Sequence, residues 1–126
     1  MITGLDHVVL TVRDIEAAAE FYARVLGLDV VRYGAGRVAL QAGAQKINLQ
    51  TLGMETRNHA SIGGGDLCLL TDMALSVAEG RLRGAGVAIL EGPVARTGAR
   101  GPMMSVYFND PDGNLIELAA YEKELP

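Results

Sequence analysis

Apolar and polar residues alternate along LDHVVLTV (5 to 12), the period of a β-strand. Val8, Leu10 and Val12 share one face of it, and Leu5, His7, Val9 and Thr11 share the other. The period then lengthens. Asp14 is placed to cap a helix over IEAAAEFYARVLG, whose apolar stripe is Ile15, Ala19, Tyr22 and Leu26 and whose stop is Gly27. Three short strands follow in DVVRYG, RVALQAG and QKINLQT, parted by glycine turns at 34 to 36 and 43 to 44.

The order then repeats. A glycine-rich stretch ending in GGG (63 to 65) leads into a strand at DLCLLTD, a helix around Leu75, Ala78 and Leu82, a glycine at 86, and strands at VAIL, SVYF and NLIELAA. Gly27 stands 20 positions after His7, and Gly86 stands 20 after Asp66, so the first strand and helix of each half align without a gap. Asn48 is 21 positions past Gly27 but Glu117 is 31 past Gly86, and the surplus falls in EGPVARTGARGP (91 to 102), which reads as an inserted loop. The pattern predicts an α+β fold of two tandem βαβββ modules, 1–52 and 66–122, joined by a linker at 53–65.

Sorting each strand by parity leaves a second surface once helices cover the apolar faces. It gathers His7, Asn48 or Gln50, Asp66 and Glu117, which occupy the first and last strands of each repeat. A half-polar sheet face is ordinarily just solvated. One imidazole and two carboxylates, however, are the inventory for a divalent cation, whose charge removes the cost of burying the carboxylates unpaired. The same surface takes in Cys68, where a buried, inert thiol is the ordinary expectation.

Composition narrows the class. The chain has 126 residues, enough for one domain, and its apolar share of 49% with two Phe and no Trp calls for an aliphatic core. A net charge of −4 without a Lys/Arg stripe argues against nucleic acid as a partner. No apolar run has the length to cross a bilayer, and MITGLDHVVL lacks a basic, cleavable leader. The single cysteine fits a reducing, cytoplasmic setting.

Tandem βαβββ modules, a first-strand histidine in DHVVLTV, a helix ending FYARVLGL and a closing DPDGNLIEL together resemble the vicinal oxygen chelate superfamily. That superfamily includes glyoxalase I, extradiol dioxygenases, fosfomycin-resistance proteins and bleomycin-binding proteins. QKINL, DLCLLTD and the segment EGPVARTGARGPMMSVYFNDPDGNLIE resemble more narrowly the glyoxalase domain-containing protein 5 group. The resemblance implies curved mixed sheets enclosing a cleft floored by an open-sided divalent metal. Its ligands would fall on His7, Asn48, Asp66 and Glu117, with Gln50 as the alternative to Asn48. Asp66 stands where relatives usually have His, and the resulting oxygen-rich set suits Mn, Mg, Ni or Fe better than a structural Zn site and disfavours ring-cleaving dioxygenase chemistry.

By the same resemblance Glu117 is also the base, abstracting a proton next to a chelated carbonyl in lyase or isomerase chemistry. Arg96 and Arg100 would clamp a carboxylate or phosphonate, and Tyr107 would place its hydroxyl at the cleft rim. A small molecule, such as a glutathione or other thiol adduct, is the implied substrate, and a homodimer, in some relatives with exchanged modules, the implied assembly. Two further readings are a noncatalytic binder of antibiotic-like molecules and a thiol transferase or hydrolase of the fosfomycin-resistance type.

Overall fold

The computed structural model describes residues 1–121. Glu122, the last residue expected in the second module, lies outside the described residues. Among the described residues, two helices and eight strands, arranged as two mixed four-stranded sheets, make this an α+β chain. Packing divides it into two compact units, one of Met1–Gly65 with Pro111–Gly113, the other of Asp66–Asp110 with the chain from Asn114 onward.

In the first unit, β1 (His7–Thr11) leads to α1 (Ile15–Leu26) and then to β2 (Asp29–Tyr33), β3 (Arg37–Ala42) and β4 (Gln45–Gln50). Asp14 accepts a bond from the Ala17 N–H at 2.9 Å, satisfying one of the helix's orphan donors. Gly27 ends the helix at φ 70°, a left-handed conformation that costs a residue with a Cβ about 1–2 kcal/mol. The sheet order is β1-β4-β3-β2, with β1 parallel to β4 and the other pairs antiparallel. Helix α1 covers the face bearing Leu10, Val38, Leu40, Ile47 and Leu49, all buried together with Ala18, Ala19, Tyr22 and Val25 of the helix. The opposite face carries the polar residues.

The second unit repeats the plan with β5 (Asp66–Leu70), α2 (Leu75–Gly84), β6 (Glu91–Gly98), β7 (Gly101–Asn109) and β8 (Leu115–Tyr121), in sheet order β5-β8-β7-β6. Here Leu75, Ala78 and Leu82 of α2 are buried with Val106, Phe108, Ile116 and Leu118.

Two sequence expectations are corrected. VAIL (87 to 90) is not a strand, and 91–102 is not a loop. The extra residues of the second repeat form a β-hairpin, in which β6 and the start of β7 pair antiparallel from Val94 opposite Ser105 to Gly98 opposite Gly101. Glycine, proline and arginine obscured it because β6 is an edge strand, where such residues are tolerated on the unpaired side.

The motif DPDGN earns its place through a turn that launches β8. Asn114 is fully buried and Asp110 is 5% exposed. The Asp110 carboxylate accepts from the Asn114 backbone N–H and from its side-chain amide, each at 2.9 Å. The Asp110 N–H in turn donates to the Asn114 carbonyl at 3.0 Å. Within the first unit, Asp112 accepts from the Arg13 backbone N–H at 3.0 Å and from its guanidinium at 3.2 Å.

Candidate functional site

In the first unit the polar face is laid out in three rungs. His7 pairs with Lys46, which pairs with Gln41; Val9 with Asn48 and then Ala39; Thr11 with Gln50, beyond which Arg37 faces Tyr33. His7 is exposed, and its Nδ1 lies 2.8 Å from Oδ1 of Asp6. A carboxylate can only accept, so Nδ1 carries the hydrogen, and in the neutral ring this directs the lone pair to Nε2, the arrangement by which carboxylates orient metal-binding imidazoles. Asn48 is 8% exposed, and its Oδ1 is buried without a hydrogen-bond partner. Gln50 by contrast commits its amide nitrogen to the hydroxyl of Thr11 at 2.9 Å. A buried carbonyl oxygen left unpaired costs on the order of 1–3 kcal/mol, so Asn48 Oδ1 stands out as a buried acceptor without a partner.

In the second unit, Cys68, Glu117 and Tyr107 form one rung, with Asp66 opposite Leu115 on the next rung and Ala119 opposite Ser105 on the other side. The alternation therefore places Asp66, Cys68, Glu117 and Tyr107 on one face, as strand parity requires. Ser105 is fully buried, and its hydroxyl donates to Oε2 of Glu117 at 2.7 Å. It stands between Ala119 on β8 and Val94 on β6, and its hydroxyl reaches across to the neighbouring rung. This fixes one carboxylate oxygen and leaves Oε1 for other work. Ser105 is a support that strand assignment alone did not single out.

Tyr107 is half-buried, and its hydroxyl accepts from Nε of Arg96 at 2.9 Å. The same guanidinium donates to the Ala95 carbonyl at 2.9 Å and to Glu91 at 3.3 Å, so Arg96 is a fixed prop on β6 rather than a loop residue. Its pKa is raised, first by the bond to Tyr107. Arg100 stacks its guanidinium over the Tyr121 ring at 4.4 Å, while its backbone N–H donates to the Tyr121 hydroxyl at 3.0 Å. Cys68 is exposed, against expectation. Desolvation of its thiol, with Glu117 and then Asp66 adding like charge, pushes its pKa up to about 11, so it stays protonated near neutrality.

Among the described residues, no three His, Cys, Asp or Glu side chains gather into a metal-binding group. Taken unit by unit, the donors are of the kinds that hold divalent cations: in the first, His7 is oriented through Asp6 and Asn48 offers an unpaired oxygen; in the second, Glu117 is braced by Ser105. No helix among the described residues is long and apolar enough to cross a membrane.

Comparison with known proteins adds one family match and three similar proteins. A family model described as "Glyoxalase/Bleomycin resistance protein/Dioxygenase superfamily" matches residues 4–118. The chain is 44% identical over 124 residues to the glyoxalase domain-containing protein RDO1 of Mycosarcoma maydis, covering 96% of this chain and 70% of that one. It is 47% identical over 124 residues to virulence protein STM3117 of Salmonella typhimurium, covering 96% and 86% respectively. A solved integron cassette protein from the mobile metagenome of V. cholerae superposes with a TM-score of 0.90 at 52% identity, over 97% of this chain and 98% of that one. More distant structures share the fold. They include lactoylglutathione lyase from Agrobacterium tumefaciens (24% identity, TM-score 0.75, 95% of each chain) and the antibiotic binding protein TnmS3 from a Streptomyces (25%, 0.75, 96% and 98%).

Proposed function

The chain belongs to the glyoxalase/bleomycin resistance protein/dioxygenase superfamily, and from that premise we propose that it is a metal-dependent lyase or isomerase of small molecules. The observation that carries the reading is Glu117: a carboxylate in the middle of a sheet face, with one oxygen held by a buried serine and the other uncommitted among the described residues. That is the form of a positioned base.

His7, Asp66, Glu117 and Asn48 are the residues proposed to hold a divalent cation (Mn, Ni, Fe, Zn or Mg), with Asn48 preferred to Gln50 because its oxygen is both buried and unpaired. When bound, such an ion supplies Lewis acidity to two neighbouring substrate oxygens. The remaining work belongs to the side chains. Ser105 keeps Glu117 in one rotamer, so that Oε1 takes the proton from the carbon next to the substrate carbonyl and returns it to the adjacent carbon. Tyr107, propped by Arg96, and Arg100 on the hairpin are the proposed substrate-facing groups beside it. The proposed substrates are α-dicarbonyls and their thiol adducts, glutathione's among them, and the proposed assembly is a homodimer.

The test pairs metal content with turnover. Protein stripped with EDTA and reloaded with each metal should bind one equivalent, lose it in His7→Ala and Glu117→Ala, and consume thiol adducts of dicarbonyls. Glu117→Gln should fold normally and lose at least ~100-fold in turnover. Full activity in that variant refutes the base. Failure of folded wild type to bind any metal favours the second reading, a noncatalytic small-molecule binder.

A further inference from the structure

The cations of this chain are mostly matched. Arg13, Arg24, Arg32, Arg57, Arg83 and Arg96 each meet a carboxylate at between 2.6 and 3.3 Å. Arg37 and Lys46 differ. Neither has a carboxylate partner among the described residues, and both turn onto one ring: Nζ of Lys46 lies 3.6 Å, and the guanidinium carbon of Arg37 5.8 Å, from the Tyr33 centroid.

The register explains the convergence. Arg37 is directly opposite Tyr33 across the β2–β3 hairpin, while Lys46 sits on β4, beyond β3. The same face of β3 carries Ala39 between them, which is fully buried and too small to block a tyrosine and a lysine that lean toward each other. The Tyr33 hydroxyl is buried and has no hydrogen-bond partner. The π-face attracts each cation, but the two positive charges repel, and Asp29, which shares this face on the rung of Gln41 and Lys46, makes no ion pair with either. An anion relieves that repulsion and takes the orphaned hydroxyl's hydrogen bond. In a chain of net charge −4, two cations gathered on one ring with no carboxylate bonded to either form a local positive feature.

We infer that Tyr33, Arg37 and Lys46 form an oxyanion-recognition subsite, which takes the carboxylate, phosphonate or phosphate group of a small-molecule ligand. Guanidinium and ammonium supply charge-assisted donors, and the phenol supplies a neutral one. The subsite lies on the face that carries His7 and Asn48, with Lys46 the rung partner of His7. Its link to catalysis rests on the function proposed above; its affinity for an anion does not.

The experiment titrates inorganic phosphate into 15N-labelled protein at an ionic strength held constant with sodium chloride, following the amide shifts of residues 29–50. Saturable shifts confined to β2–β4 are expected, with affinity falling roughly tenfold in Arg37→Gln and in Lys46→Gln and by less in Tyr33→Phe. Parallel titrations with methylphosphonate and acetate identify the preferred group, and a saturable response to either that is lost in the same variants supports the assignment. Shifts that only track ionic strength, or wild-type affinity in both charge variants, overturn it. Arg37 is exposed, so its variant keeps the test valid should Lys46→Gln disturb the sheet. If phosphate saturates this face while Glu117→Gln keeps full turnover, the subsite stands and the base assignment falls.

Discussion

Replacing Asp110 by Ala tests how much the hydrogen-bonded turn before β8, the strand that carries Glu117, contributes to holding the fold. The substitution removes one carboxylate that accepts two hydrogen bonds from Asn114, both at 2.9 Å, at a place where Asn114 is fully buried. A hydrogen bond to a charged group is worth about 1.5–3 kcal/mol, so the pair grosses ~3–6 kcal/mol. Against this stands the cost of keeping a carboxylate that is 5% exposed away from water, which is of the same kind but is shared with the bonds it makes. A net loss of ~3 kcal/mol is expected, equivalent to a fall of roughly 10 °C in Tm for a chain of this size. Denaturant titration followed by circular dichroism reads the change. Asp110→Asn, which keeps the shape but offers one acceptor where there were two, should fall about midway. A loss below ~0.5 kcal/mol in the Ala variant would show that the turn is held by other contacts, and would refute the reasoning.

Two further predictions follow from the same sheet. With its thiol pKa near 11, metal-free Cys68 should react with iodoacetamide at pH 7.5 on the order of 100-fold more slowly than an unperturbed thiol, with reaction accelerating only as pH rises toward that value. Glu117→Gln removes one of the like charges that raise the pKa and should speed the reaction; an unchanged rate there would contradict the share assigned to Glu117, and fast wild-type alkylation at neutrality would contradict the raised pKa itself. Gly92→Ala should destabilise the protein by at least ~2 kcal/mol in the same denaturant assay, because φ is 112° and a Cβ would meet the Ser105 carbonyl oxygen and come within 2.9 Å of the Val106 Cα. A neutral effect would mean that the β6–β7 pairing is softer than its geometry.

Local signals were legible wherever the physics is local. Asp14 and Gly27 bracket α1 because a capping carboxylate and a left-handed glycine act within a few residues of themselves. Strand parity alone put Asp66, Cys68 and Glu117 on one face, since the alternation of a strand does not depend on its neighbours. The β6–β7 hairpin was hidden because an edge strand needs little apolar patterning, and its residues read as turn material. Ser105 under Glu117, and Lys46 and Arg37 around Tyr33, depend on which residue of one strand faces which residue of another. Register is a tertiary property, so a single sequence carries it only weakly. The exposure of Cys68 belongs to the same class: parity gave its face, but not what covers that face.

The parallel pairing of each unit's first strand with its last has a consequence on the ribosome. The first sheet has all its strands once Gln50 has been made, so β1 can dock on β4 early. In the second, β5 leaves the tunnel with its partner β8 still some 45 residues away, and at ordinary elongation speeds of about 5–20 residues per second it waits for several seconds. During that interval an apolar DLCLL segment has no strand beside it, and the nascent chain is most open to chaperones and to pairing with another polysome's copy of itself.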